Sequence, residues 1–411
     1  MRRARPDLRP VLAYVAHGLR DPADDTREAG RVAALAARLD ADHVVLSVTV
    51  ERSGEGVESD ARRARHAALE AEATRRGASA VLHGHHAEDQ AETLLLRLAR
   101  GTGVDGLAGM AVVSGMRVRP LLDVRRADAH LAAAALVDGA LDGVAHDPMN
   151  DDLRLARVRL RRDVLPGLAA VGPDPVGALA RLATLARADA EVLDAAVATL
   201  RASLVIAFGP ALLVPSAELR ALPAALGRRL VRTLLPDGEA RATASVERLR
   251  TAPDGWRATL PGPVDAAVDR GHHLVVPVAV PDAPPEPLAG TLHHAPSGMT
   301  IVRSGDDLDA RLDARLDARP TGALPPGLRA DRLTVRLRGA GALTVRTRRA
   351  GDRVRTPGGS RPLGDVLADA GVPLALRDLL PVVAGPDGRV VWVPGVVVDA
   401  SLHAGTPGDG E

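Results

Sequence analysis

The sequence predicts an α/β protein: a Rossmann-like parallel sheet with crossover helices over residues 1–166, then a mainly helical middle part and a small α+β module at the C-terminal end. Three observations carry this reading. Short apolar, β-branched runs alternate with helix-period stretches through the first hundred residues. Ala, Leu and Arg then recur at helical spacing between 175 and 235, and Val-rich strand patterns dominate from Leu333 onward.

Val11–Ala16 is an apolar run of strand length, and Arg27–Leu39 places Val32, Leu35 and Leu39 on one helical stripe. Val44–Val50 is β-branched, and Asp60–Arg76 is helical again. Ala80–Leu82 reads as a short buried strand, and Glu88–Arg100 as a strong helix ended by Gly101. That makes three βα units in succession. Arg117–Leu122 and a helical stretch over Ala127–Leu141 extend the domain, and the run from Asp147 to Pro166 closes it. Residues 167–281 form the helical middle domain, with Trp256–Pro281 turning to strand-like alternation. Residues 282–330, with Pro284, Pro285, Pro287 and a threefold Leu-Asp-Ala-Arg repeat from Leu308 to Arg319, read as a linker. The repeat is expected as a solvated helix whose Asp and Arg pair along one face. Residues 331–411 form the last module.

Composition excludes several chemistries. The 411 residues hold 53 basic and 52 acidic side chains, a net charge of +1, and no cysteine. There is therefore no thiolate metal site, iron–sulfur cluster or cysteine nucleophile, as suits a cytoplasmic protein. There is also no lysine, which removes Walker-A, Schiff-base and kinase chemistry. Met1 is followed by charged residues with no apolar core of a signal peptide, and no stretch approaches the ~20 apolar residues of a membrane span. Aromatics are 1% of the chain, so stacking on nucleic-acid bases must rely on arginine planes or histidine rings. Between Arg332 and Arg361 nine arginines face the single acid Asp352, a density suited to phosphates or to a solvated charged face.

The chemistry concentrates in His83-Gly84-His85-His86-Ala87-Glu88-Asp89-Gln90-Ala91-Glu92-Thr93, where a strand ends and a helix begins. Ligands of open parallel sheets bind at such carboxyl ends. Asp89 and Glu92 lie three apart on one helix face, a spacing suited to Mg²⁺ on nucleotide phosphates. Helix capping by first-turn acids explains the same spacing equally well. Gly101-Thr102-Gly103-Val104-Asp105-Gly106 fits a dinucleotide pattern but follows a helix, so it reads as a terminating turn.

At these residues the chain resembles the bacterial tRNA(Ile)-lysidine synthetases of the PP-loop ATP pyrophosphatase superfamily. His17-Gly18-Leu19-Arg20, Ala61-Arg62-Arg63-Ala64-Arg65-His66, the His85–Thr93 signature with Glu88 where an aspartate is usual, and Arg100-Gly101-Thr102-Gly103 carry the likeness. Arg119-Pro120-Leu121-Leu122, Asp147-Pro148-Met149-Asn150-Asp151, Gly351-Asp352-Arg353 and Val391-Trp392-Val393-Pro394-Gly395 continue it. The resemblance implies a ligase that uses ATP and Mg²⁺ to join free L-lysine to the wobble cytidine of the isoleucine tRNA with a CAU anticodon. It implies catalytic roles for His86, Asp89 and Glu92, with Asp89 and Glu92 also holding the metal. His17, Gly18, Arg20, Gly84 and His85 would contact the nucleotide. Arg119, Asn150, Arg157, Arg159, Arg161, Arg346, Arg348, Arg349 and Arg353 would hold tRNA, and the family reading allows a homodimer. The family's ATP loop, Ser-Gly-Gly-x-Asp-Ser, is expected before Val11 and does not occur in this sequence, so a first βα unit of roughly 30 residues is expected to be missing. The competing expectation is an inactive tRNA-binding remnant. A tRNA thiolase of the same superfamily is disfavoured by the lack of cysteine.

Overall fold

The computed structural model describes residues 8–18, 21–53, 57–136, 151–237, 242–262, 264–278, 283–305, 309–316, 324–339 and 341–402. The chain divides into two units, residues 1–191 and 192–411, and the helix Pro175–Leu204 spans the division.

In the first unit β1 (Val11–Ala16) and β2 (Asp42–Ser47) pair in parallel, with Val11 opposite Asp42. The crossover between them is α1 (Pro22–Arg38), started by Asp21, whose carboxylate accepts from the Ala23 amide at 2.8 Å. The Tyr14 hydroxyl donates to Asp25 at 2.7 Å and ties strand to helix. After α2 (Val57–Arg75), β3 (Val81–Leu82) pairs in parallel with a later strand across α3 (Ala87–Ala99). A single turn, α4 (Val104–Leu107), and β4 (Val113–Ser114) lead to that strand, β5 (Arg117–Val118), followed by α5 (Arg126–Leu136). The parallel pairing thus occurs in two ladders, β1–β2 and β3–β5, with β4 antiparallel on β5. The expected helix end at 137–141 lies outside the described residues.

The Gly101–Gly106 segment is the turn that terminates α3, with Gly101 at φ +77°. Three long polar side chains then clamp the loop that follows. Gln90, buried on α3, donates to the Met110 carbonyl at 3.0 Å and accepts from its amide at 2.8 Å. Arg97 donates to the Gly106 and Gly109 carbonyls, and Arg187 to those of Ala108 and Met110. Gly109 sits at φ +63°, and a Cβ there would lie 2.7 Å from the Gln90 Oε1, so the clamp requires glycine.

In the second unit a five-stranded antiparallel sheet runs in the order Ile206–Phe208, Ala211–Pro215, His272–Pro277, Val264–Asp269, Arg257–Leu260. The helices Ser216–Ala221, Ala224–Leu234 and Thr243–Thr251 pack against it through Leu219, Leu230, Val231, Leu234 and Leu249. A second core, centred on the fully buried Trp392, joins a seven-stranded mixed sheet of the C-terminal module to a four-stranded antiparallel sheet.

That four-stranded sheet corrects the linker expected over residues 282–330. Its order is Thr291–His294, Met299–Ser304, Asp309–Leu316, Thr334–Arg338, so three of its strands fall inside the expected linker. The Leu-Asp-Ala-Arg repeat is the strand Asp309–Leu316, not a solvated helix. The physical reason is its period. Leu and Ala occupy alternate positions, so Ala310, Leu312 and Ala314 are all buried while Arg311 and Arg315 are exposed. A four-residue repeat of this kind satisfies a strand fully and a helix only in part. Replacing Leu312, which has no exposed surface, by Ala should cost about 2–5 kcal/mol in urea unfolding of the chain. A change below about 0.5 kcal/mol would return the repeat to a solvated element.

Candidate active site

The site is built on the C-terminal end of β3. The His83 amide donates to the Val118 carbonyl at 2.9 Å, which prolongs the β3–β5 ladder to the edge of the loop His83–His86. The Ala87 amide donates to the Val124 carbonyl at 2.9 Å and fixes where α3 starts. His86 is the N-cap, and its backbone amide donates to the Asp89 Oδ2 at 2.9 Å in a capping box. Capping, one of the two readings of the acid spacing, is therefore present at Asp89. The His86 Nδ1 lies 3.0 Å from Glu88 and 3.4 Å from Asp89, close to both first-turn carboxylates. Glu88 in turn accepts from the Arg125 side chain and the Arg126 amide, and Arg125 also binds Asp174 at 2.7 Å.

Glu92 is fully buried. Its Oε1 accepts from the Arg161 Nε at 2.9 Å, and the Arg157 guanidinium lies 3.9 Å from its Oε2. A buried carboxylate needs such a partner. Arg157 and Arg161, expected on tRNA phosphates, thus face Glu92 instead, and the two cations leave Glu92 unsuited to hold Mg²⁺. Asp89 keeps one carboxylate oxygen beyond its cap bond, which fits a metal that takes few protein ligands and completes its shell with water and phosphate. Among the described residues no three His, Asp or Glu side chains form a metal cluster.

Beside this helix end stands a column of three imidazoles. His66 from α2 stacks on His83 with ring centroids 5.0 Å apart, and His83 stacks on His85 at 5.6 Å. The Arg117 Nη1 lies 3.0 Å from His66 Nδ1, and the Arg62 Nη2 lies 3.5 Å from His85 Nε2. Burial, and then the neighbouring guanidiniums, push His66 down to about 3 and His85 to about 4, and lower His83 as well. The rings are neutral near pH 7 and can accept from arginine. Arg119 is buried, donates to the Ala111 carbonyl at 2.8 Å, and has its Nε without a hydrogen-bond partner. The Nε2 atoms of His66 and His83 and the Nδ1 of His85 are buried and unpartnered in the same way. Such a set suits the phosphates and polar edges of a nucleotide.

Sequence reasoning found His85, His86, Asp89, Glu92 and Arg119, which converge here, and gave no role to His66, His83, Arg62 or Arg117. The available signal was the alternation of His83 and His85 in the loop that follows β3. Gly84 lies in the same loop. His17 and Gly18, the latter at φ +62°, end β1 in the other ladder, and Arg20 and Asn150 lie outside the described residues. Arg159 donates to the Leu153 and Arg154 carbonyls. In the C-terminal module Arg346 is a correction. It is 4% exposed and forms a bidentate pair with Asp352, both bonds 2.8 Å, so it cannot reach a phosphate. Arg348 is paired with Asp378, Arg353 binds Ser360, and Arg349 is exposed.

Comparison with known proteins assigns these parts. Residues 2–168 match the PP-loop domain model, and residues 343–410 match the model described as TilS substrate C-terminal domain. A tRNA(Ile)-lysidine synthase of Thermobifida fusca is 45% identical over 229 residues, covering 55% of this chain and 68% of its own. That of Ralstonia nicotianae is 35% identical over 416 residues, covering 97% of this chain and 84% of its own. The chain belongs to the tRNA(Ile)-lysidine synthase family. A third member, from Streptomyces coelicolor, is 43% identical over 242 residues, and the chain spans 66% of its length. Membership makes this protein a ligase of the C–N bond-forming class, with ATP use placed in the PP-loop domain. No helix among the described residues is long and apolar enough to cross a membrane.

Two measurements check the synthase site. Glu92→Ala leaves Arg161 without its carboxylate and should cost about 2–4 kcal/mol in denaturant unfolding, less than a fully buried pair because Arg161 is partly exposed. For the histidine column, a base whose folded value is depressed binds a proton more readily when unfolded. Stability is then complete above about pH 6.5 and falls as pH drops towards the folded values of about 3 and 4. The loss is at most ~1.4 kcal/mol per pH unit for each ring. His273 and His294, each lowered to about 4 by burial in the second unit, act with the same sign. Urea unfolding at pH 7.5 and pH 5 should show the loss, and His66→Gln should make it shallower.

Proposed function

We propose that the chain ligates free L-lysine to C2 of the wobble cytidine of the isoleucine tRNA bearing a CAU anticodon, so that the tRNA reads AUA instead of AUG. The reaction has two steps. The cytidine C2 oxygen attacks the α-phosphorus of ATP and pyrophosphate leaves; the lysine amine then attacks C2, loses a proton, and AMP departs with the oxygen. The supporting observation is the convergence of neutral imidazoles, guanidiniums and first-turn carboxylates at one strand end.

Each residue has a part in this reading. Arg119 and the His66–His83–His85 column bind the nucleotide, with Arg62 and Arg117 supplying positive charge and the neutral rings supplying acceptors. Asp89 is the protein carboxylate for Mg²⁺, which neutralises the triphosphate when bound. His86, beside Glu88 and Asp89, positions that carboxylate through its backbone amide. Glu92 acts through Arg161 and Arg157, orienting the segment 156–164 that carries them. The lysine comes from solution, since the chain has none, and the substrates place the reaction in the cytoplasm.

The test is incubation of the chain with an isoleucine tRNA transcript, ATP and lysine. AMP release, together with a lysine mass increment on the anticodon fragment, is the expected result. Asp89→Asn, which keeps an oxygen for the cap bond, should lower kcat by ~10²-fold or more. Salt-sensitive tRNA binding without AMP release would replace this reading by a tRNA-binding remnant.

A further inference from the structure

We infer that the solvent face of the four-stranded sheet, carrying Arg311, Arg315, Arg336 and Arg338, binds the sugar–phosphate backbone of the tRNA. The inference deepens the proposed function and rests on its tRNA substrate. Arg311 stands directly opposite Arg336 on the neighbouring strand, Thr334 stands opposite Asp313, and Arg338 opposite Asp309. Arg315 stands opposite Thr300 on the other side. All four arginines are exposed, whereas the intervening Ala310, Leu312, Ala314, Val335 and Leu337 are buried in the core. The face is therefore anchored by the packing beneath it.

Its charge calls for an anionic partner. Like charges directly opposite on adjacent strands destabilise a sheet, and Arg311 opposite Arg336 is such a pair. Asp313 relieves it only on one side: the Arg311 Nε lies 3.2 Å from Asp313, and that carboxylate also accepts from the Thr334 hydroxyl at 2.7 Å. Arg338 stands opposite Asp309, whereas Arg315 and Arg336 have no carboxylate partner among the described residues, so four arginines share this face with two acids. Other arginines of the segment 332–361 are engaged inside the module. There Arg346 is buried on Asp352, Arg348 is tied to Asp378, and Arg361 to Asp369. The charge count of that segment overstates its surface, and of its arginines Arg336 and Arg338 stand exposed on the sheet face beside Arg311 and Arg315 of the repeat strand. The face carries four guanidiniums and one exposed ring, His293, opposite Thr300, and its charge suits contacts that position the backbone. Arg311 and Arg315 are about 13 Å apart along one strand, while the opposed strands lie ~5 Å apart, so the four can meet several phosphates.

The test is tRNA binding by the full chain over a series of salt concentrations. Replacing Arg315, Arg336 and Arg338 together by Gln should flatten the slope of log affinity against log salt by about 2–3, near 0.9 for each lost phosphate contact. Each single Gln variant should remove about one such step, so the readout survives if the triple variant fails to fold. The triple Lys variant, which keeps the charges, should hold most of the slope. Gln variants that bind with the wild-type slope and affinity would overturn the inference while leaving the function standing. A wild-type chain that does not bind tRNA would instead overturn the substrate reading itself.

Discussion

The buried carboxylate of Glu92 is the constraint around which the catalytic unit is arranged. It lies one turn into α3 with no exposed surface, and it reaches across to Arg161, sixty-nine residues further on. An unpartnered charge at that depth would be costly, so the helix cannot take its place unless the segment 156–164 takes its own. The helix start is fixed from the other side by the Ala87–Val124 bond and by the His86–Asp89 cap. His86 and Asp89, the groups proposed beside the metal and the amine, hang from those few turns. The exposed end of the helix is thereby oriented by interactions that never touch a substrate.

A chain with 53 arginines, no lysine and few aromatics has to use guanidiniums for tasks that other sequences give to amides or rings. Arg97 and Arg187 hold backbone carbonyls of the loop after α3, Arg201 holds Thr233, and Arg346 closes a buried fork on Asp352. Planar donors in a fixed fork suit such bracing. The histidine column fits the same pattern. Where a tyrosine or phenylalanine could have filled the space under the site, three imidazoles stack and remain uncharged because burial and cations oppose protonation.

Much of the fold could be read in the sequence, because the apolar periods of Val11–Ala16, Arg27–Leu39, Asp60–Arg76 and Glu88–Arg100 match their elements closely. The reading went astray where one pattern served two geometries. Leu-Asp-Ala-Arg offers i,i+2 alternation to a strand and charge pairs to a helix, and only the apolar core beneath Leu312 decides between them. The site residues were legible where strand end, loop and helix start are contiguous. Arg346 was misassigned, and the partner of Arg161 was missed, because charge is visible in a sequence whereas the carboxylate that neutralises it, Asp352 or Glu92, is identified only by folding. His66 was overlooked because its stacking partner is seventeen residues away.

The repeat strand has one more property. Shifting a strand by one residue exchanges its faces, but shifting Asp309–Leu316 by one whole repeat returns Leu and Ala inward and Asp and Arg outward. Its own sequence therefore does not specify its alignment. The neighbours Met299–Ser304 and Thr334–Arg338, which do not repeat, must act as the ruler. Gain or loss of one tetrapeptide in the gene would accordingly change the length of the adjoining connections while leaving the inward and outward chemistry of this part of the sheet intact.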